Sequence, residues 1–292
     1  MIIGYAACIP GPYHIANNMP CQDAYTITDG NDGFKIAACA DGLGSEQFSG
    51  IGSKIASETA VIYCSEHIDA SMNSDGIKQV ICDSFAKAYH AVGEQANKAG
   101  NNIDEYDTTL CLVVYDGSRL YYGQSGDSGI VAVFENGQYV QVTSQQRDEE
   151  GYVYPLRFGA EYWSFGYLEG PVTSLMLMTD GIWSQICPPL LSTYDTPINV
   201  ALTRQFLDRS EYTPKEIHAL EERVKDYLLK FPEYLIDDDK TVVVLYNSDK
   251  HPATLEPEYY TPPDWEKLLR EHPLYSATDF EIESDVNING NP

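Results

Sequence analysis

The feature that most restricts this chain is a set of apolar strands that end on carboxylates. Ile36-Ala37-Ala38-Cys39-Ala40 reads as a buried strand, and it runs directly into Asp41-Gly42, where the chain must turn. The same grammar returns at Leu175-Met176-Leu177-Met178-Thr179-Asp180-Gly181. It is inverted at Ile236-Asp237-Asp238-Asp239-Lys240-Thr241-Val242-Val243-Val244-Leu245, where acids open a strand. Asp-Gly is a common turn dipeptide, so a single such site is more often a turn than a ligand. Repetition changes the balance. Strand ends that carry carboxylates can converge on one point, and a neighbouring glycine lets the backbone approach whatever sits there.

Composition narrows the function classes. A chain of 292 residues holds one large domain plus a tail, or two small domains. A net charge of −26 repels nucleic acid and anionic membranes, and it suits cations or basic partners, although much of it also serves solubility. The seven cysteines lie mostly in apolar runs, as at Cys39, Cys64, Cys82 and Cys111, where a thiol acts as a small hydrophobe. None is in a CxxC spacing, which disfavours zinc. Met1-Ile2-Ile3-Gly4-Tyr5 has no basic segment followed by a long apolar run, so no signal peptide is expected, and no run reaches membrane-spanning length. A reduced, cytoplasmic protein is the expectation.

Periodicity predicts the elements. Residues 2–8 read as a strand broken by Pro10-Gly11-Pro12. Ala24-Tyr25-Thr26-Ile27-Thr28 alternates, and Asn31-Asp32-Gly33 turns it into the strand that ends at Asp41. Ile51, Ile55, Ala56, Thr59 and Ile62 share one helical face. Ile77, Val80, Ile81, Phe85, Ala88 and Val92 form the stripe of a longer helix, which Gly100-Asn101-Asn102 ends. Strands over 108–115, 119–123, 130–134 and 138–143 are divided by turn signals, among them Ser125-Gly126-Asp127-Ser128-Gly129, read as a tight turn; such a run predicts an antiparallel sheet. Residues 144–170 lose periodicity and read as a long irregular loop. Helices are expected over 195–208 and 214–230, the second opened by Thr213-Pro214-Lys215-Glu216, and a last strand over 241–246. This order is α+β. Beyond residue 247 prolines recur and acids outnumber bases ten to three over 249–292, so a main domain over 1–247 is followed by an acidic, Pro-rich tail over 248–292. Its apolar cluster, Trp265, Leu268, Leu269 and Leu274, is expected to dock on the chain's own domain before any partner, with residues 287–292 disordered.

Asp23, Asp41, Asp127, Asp180 and Asp238 each stand at a strand end or an adjoining turn. Bunched carboxylates repel one another unless a cation neutralises them. All-oxygen ligation suits Mg²⁺ or Mn²⁺, and two such ions close together can stabilise in-line attack on a phosphate.

The order Gln22-Asp23-Ala24, Ala40-Asp41-Gly42, Asp107-Thr108-Thr109, Ser125-Gly126-Asp127-Ser128, Met178-Thr179-Asp180-Gly181-Ile182-Trp183, Asp238-Asp239-Lys240-Thr241 resembles the metal-dependent protein phosphatases of the PP2C (PPM) family over residues 1–247. Pro20-Cys21-Gln22-Asp23-Ala24 looks like its bacterial branch. The resemblance implies two packed antiparallel sheets flanked by helices. It implies a protein serine/threonine phosphatase that hydrolyses phosphoserine and phosphothreonine monoesters by a metal-bridging hydroxide. Two Mn²⁺ or Mg²⁺ ions are implied, with a third as an addition. Asp41 would bridge both ions, the Gly42 carbonyl would bind the second, Asp180 and Asp238 would hold the first, Asp23 would act through water, and Asp127 matches the third-metal aspartate. Asp237 and Asp239 are the neighbouring alternatives to Asp238.

The chain departs from that pattern in several places. Gln22 stands where the family commonly has Glu, Leu43 where many members carry a histidine general acid, and Asn17 and Asn18 where a phosphate-binding arginine is usual. His14 is a candidate phosphate contact, and Arg147 and Arg157 are candidate substrate contacts, with structure and surface ion pairing as their blander roles. Thr108 and Thr109 read as a strand start and Trp183 as core. The expected partners are a phosphoprotein substrate and a cognate Ser/Thr kinase, with no nucleic acid and no membrane, and the protein is expected to be a monomer. The rival expectation is a weak or inactive PP2C-like regulatory module.

Overall fold

Strand alternation sets the layers. Ala37 and Cys39 face one side of their strand, while Ile36, Ala38 and Ala40 face the other, and both sides are fully buried. Such a strand needs a layer on each face. The computed structural model describes residues 1–208, 212–233 and 235–271. In chain order these form β1 (Ile2–Ile9), α1 (Pro12–Ala16), β2 (Ala24–Asp29), β3 (Lys35–Ala40), α2 (Ser49–His67), α3 (Ser74–Ala99), β4 (Leu110–Tyr115), β5 (Leu120–Ser125), β6 (Gly129–Phe134), β7 (Tyr139–Gln141), β8 (Ser164–Leu168), β9 (Val172–Met178), α4 (Asp180–Ile186), α5 (Val200–Leu207), α6 (Ile217–Leu228), β10 (Lys240–Asn247) and α7 (Trp265–Glu271). Among the described residues, no helix is long and apolar enough to cross a membrane.

Two five-stranded antiparallel sheets result, ordered β1-β10-β9-β6-β7 and β2-β3-β4-β5-β8. Between them lie small and branched side chains: Ala6, Ala37, Cys39, Ile130, Leu175 and Val243. On the outer face of the second sheet, α2 and α3 bring Ala56, Ala60, Ile81 and Phe85 against Ala38, Leu112 and Val114. On the outer face of the first, α4, α5 and α6 bring Trp183, Phe206 and Val224 against Tyr5, Met176 and Val244. Each large side chain so buried contributes about 1.5–3 kcal/mol. Trp183 is core, as expected, and Gly129 makes room for it, since a Cβ there would lie 1.7 Å from the indole.

Local signals explain the helix ends. Asn73 caps α3 through a 2.8 Å bond from the Gly76 N–H, and Gly100 closes it at φ 77. The Thr213–Glu216 box forms as predicted, with the Thr213 N–H donating to Glu216 at 2.9 Å.

Several expectations are corrected. Ser125–Gly129 is not a hairpin, because β5 and β6 belong to different sheets. The segment is a crossover between layers. The supposedly irregular 144–170 contains β8, which closes an edge of the second sheet. Asp180 does not sit in a simple turn; it is the first residue of α4. Cys82 is only half-buried.

Residues 248–271 return across the first sheet. Ala253 N–H bonds to the Glu135 carbonyl at 2.8 Å, Tyr139 N–H to the Tyr259 hydroxyl at 2.9 Å, and the Arg204 guanidinium lies 4.5 Å from the Tyr260 ring centroid. Leu268 is 8% exposed, Trp265 half-buried and Leu269 exposed. Leu274 and residues 287–292 lie outside the described residues.

Candidate metal centre

The two sheets bring the carboxylate-bearing ends to one side. Register aligns them: Ala24 pairs with Ala40, Leu110 with Ser125, and Met178 with both Gly129 and Val242. Each of these pairs is at or beside a strand end next to a candidate acid. One carboxylate oxygen each from Asp41, Asp127 and Asp180 lies within 4.8 Å of the other two. Asp238 shares a cavity of about 240 Å³ with Asp180, Gly181, Gln145 and Arg147.

The backbone at Asp41 is held by the two threonines. Its N–H donates to Thr109 Oγ1 at 2.9 Å, and its carbonyl accepts from Thr109 N–H at 2.8 Å and Thr108 Oγ1 at 2.9 Å. Thr109 Oγ1 also lies 3.0 Å from the Ser128 hydroxyl, beside Asp127. One side chain thus fixes the spacing between two strand ends from different sheets. At Gly181 a Cβ would come within 2.0 Å of the Asp239 carbonyl, so the start of α4 packs directly on the backbone that carries Asp238.

Asp239 has a different task from its neighbour. Its carboxylate turns inward, 3% exposed, and accepts from Gly11 N–H at 2.7 Å and Gln22 N–H at 2.6 Å. His14 Nδ1 stands 2.7 Å from it. A buried carboxylate needs donors, and these tie the loop that precedes Asp23 to the start of β10. His14 is therefore turned into the fold, against Asp239. Arg157 grips Asp107 with two bonds of 2.7 Å. Asp23 is buried and accepts from Thr179 Oγ1 at 2.8 Å through one oxygen. Thr179 Oγ1 in turn accepts from Thr241 N–H at 3.2 Å.

Crowding shows in the electrostatics. Burial, and then the charges of Asp180, Asp23, Asp127 and Asp238, push the Asp41 carboxyl well above the ordinary carboxylate range. Burial, then Asp127 and Asp238, push Asp180 up to about 7, against the opposing pull of Arg147. Burial also raises Asp127 and Asp238. Among the described residues, Asp23 Oδ1, Gln22 Oε1 and Asp127 Oδ1 have no hydrogen-bond partner, and Asp127 Oδ2 is ion-paired with Arg147. Orphaned, mutually repelling oxygens are unfavourable by themselves. They fit hard divalent cations such as Mg²⁺ or Mn²⁺, which take oxygen ligands and water.

The expected acids are thus brought together at Asp41, Asp127 and Asp180, with Asp238 beside Asp180 and Asp23 close enough for its charge to bear on Asp41. Gly42 follows Asp41 and pairs with Thr108 across the site. Arg147 is drawn into the cluster; His14 and Arg157 are spent on Asp239 and Asp107. Sequence reading missed the supporting roles of Asp239, Thr109 and Thr179. Their only local signal is the position of each next to a candidate acid.

Comparison with known proteins agrees with this geometry. The profile of the family described as Protein phosphatase 2C matches residues 10–223. The fold resembles the serine/threonine phosphatase Stp1 from Staphylococcus aureus, at a TM-score of 0.54 and 14% identity over 85% of this chain and 95% of that one. It also resembles the S. agalactiae serine/threonine phosphatase, at 0.55 and 18% identity over 84% and 99% of the two chains. A third similar structure is the catalytic domain of the serine threonine protein phosphatase PstP in complex with 2 manganese ions, at 0.54 and 15% identity over 84% and 97%. No curated protein matches the sequence. Since the profile covers most of the chain and the acids it spans meet at neighbouring strand ends, this chain belongs to the protein phosphatase 2C family.

Proposed function

We propose that residues 1–247 form a serine/threonine protein phosphatase domain that uses two Mn²⁺ or Mg²⁺ ions. The observation that carries this reading is the meeting of Asp41, Asp127 and Asp180 oxygens within 4.8 Å, beside buried oxygens that lack donors. Family membership and the manganese in the PstP catalytic domain support it. When bound, such ions supply an activated water and neutralise the phosphate.

The chain's own residues do the rest. Asp41 stands between the acids of both sheets, and its backbone, pinned by Thr108 and Thr109, cannot shift without breaking the strand start. On this reading Asp41, the Gly42 carbonyl, Asp180 and Asp238 would hold the two ions. Asp23 keeps one oxygen on Thr179 and the other free to accept from a water, which it would orient. Leu43 offers no proton, so protonation of the leaving serine or threonine oxygen would fall to water or another group at the site. The test is hydrolysis of an aryl phosphate with Mn²⁺ present. Asp41→Asn and Asp180→Asn should each abolish turnover while the protein stays folded. Retained turnover in both variants would remove the assignment.

A further inference from the structure

Among the described residues, Arg147 is the only arginine or lysine that lines the cavity shared by Asp180 and Asp238. It rides on a small hairpin over residues 146–154, closed by Tyr154 N–H to Gln146 O at 3.1 Å and Asp148 N–H to Tyr152 O at 2.9 Å. The base of that hairpin is clamped to the crossover that carries Asp127. Gly126 N–H donates to Gln146 Oε1 at 2.9 Å, and Gln146 N–H to the Gly126 carbonyl at 3.1 Å. Arg147 is therefore delivered to Asp127 by its own chain neighbour. Its Nη2 forms ion pairs with Asp127 and, at 3.1 Å, with Asp180, while Nη1 bonds to the Gly151 carbonyl at 3.2 Å. Asp127 is fully buried, and among the described residues this guanidinium is the ion-pair partner of its carboxylate.

We propose that Arg147 is a built-in cation for the Asp127 end of the acid cluster, so that a third divalent ion enters there only by displacing the guanidinium and loosening the hairpin. This rests on the two-ion reading above. A guanidinium and a divalent ion cannot both sit between Asp127 and Asp180: the space is a single ion's, and like charges at that range repel. The exchange has a consequence for substrate. An arginine released from the acids stays tethered at the mouth of the cavity, where its planar donors suit a phosphate group. The chain otherwise has Asn17 and Asn18 where a phosphate-binding arginine is usual. Arg147 is thus a positioning residue whose partner, acid or phosphate, depends on how many ions are bound.

Manganese binding to the full-length, chelator-stripped protein tests this, with free Mn²⁺ read by electron paramagnetic resonance and heats by calorimetry. Wild type should bind two ions, with a third only at far higher concentration. Arg147→Ala should bind three, the third at least about tenfold tighter than in wild type. Arg147→Gln keeps length and polarity without charge, and should behave likewise if the alanine variant folds poorly. Asp127→Asn added to either variant should remove the third ion again. An equal third-ion affinity in wild type and both Arg147 variants overturns the proposal while leaving the two-ion reading intact. Absence of any Mn²⁺ binding in wild type and variants overturns both.

Discussion

Asp180→Asn should make the metal-free protein more stable at pH 8, although it destroys the candidate site. The carboxyl of Asp180 is pushed from an ordinary 3.8 to about 7, first by burial and then by Asp127 and Asp238. The folded chain therefore holds this proton to a higher pH than the unfolded chain does. Below about pH 4 both states are protonated and the group has no effect on stability. As pH rises toward 7 the unfolded chain releases the proton first, so stability falls; above 7 the whole cost is present. At about 1.4 kcal/mol per pH unit, that cost comes to about 4 kcal/mol. Asparagine removes it and keeps the shape. The opposing pull of the part-exposed Arg147 ion pair is already contained in that value, so it is not subtracted again. The net gain at pH 8 is about 4 kcal/mol, and it shrinks by more than half at pH 5. Urea unfolding of chelator-treated wild type and variant at both pH values measures this. With Mn²⁺ at a hundred times its dissociation constant the order should narrow or reverse, since binding stabilises wild type alone by about 2.7 kcal/mol. A variant less stable than wild type at pH 8, or a gain of the same size at both pH values, would refute the claim that unneutralised charge is what strains this site.

Other outcomes follow from the same geometry. Thr109→Val removes the acceptor for the Asp41 N–H and the contact to Ser128, so turnover should fall about ten- to a hundredfold with little loss of fold, and Thr109→Ser should restore most of it. Manganese affinity at fixed ionic strength should rise with pH through about 7, because Asp180 must lose its proton to act as a ligand; calorimetry at pH 6 and 8 measures the change, and a pH-independent affinity would count against Asp180. Leu268→Ala, on the returning segment, should cost about 2 kcal/mol in unfolding experiments and leave manganese affinity unchanged, since the residue is 8% exposed and packs far along the chain from the acids.

What the sequence discloses here divides by range. The turn after Ala40, the stripe of α3 and the Thr213–Glu216 box are decided by residues within a few positions of one another, and all appear where local chemistry puts them. The identity of the partner layer is not local. Ser125–Gly129 has the composition of a hairpin turn, yet β6 finds a better-matched neighbour in β9 and leaves the sheet of β5. Likewise His14 acquires its task from a carboxylate 225 positions away. The triplet Asp237-Asp238-Asp239 is the instructive middle case. In β10, Val243 and Leu245 face between the sheets, whereas Val242 and Val244 face the helices. Carrying that alternation back past the strand start turns Asp239 inward and leaves Asp238 on the side of α4. The inward acid, once buried, must be met by donors, and Gly11, Gln22 and His14 supply them. Asp237 and Asp238 line the cavity with Asp180, and of the two it is Asp238 whose charge bears on the Asp180 carboxyl. The parity of one strand thus separates an acid that holds the fold together from an acid that can hold a metal, and that parity was already written in the apolar residues that follow.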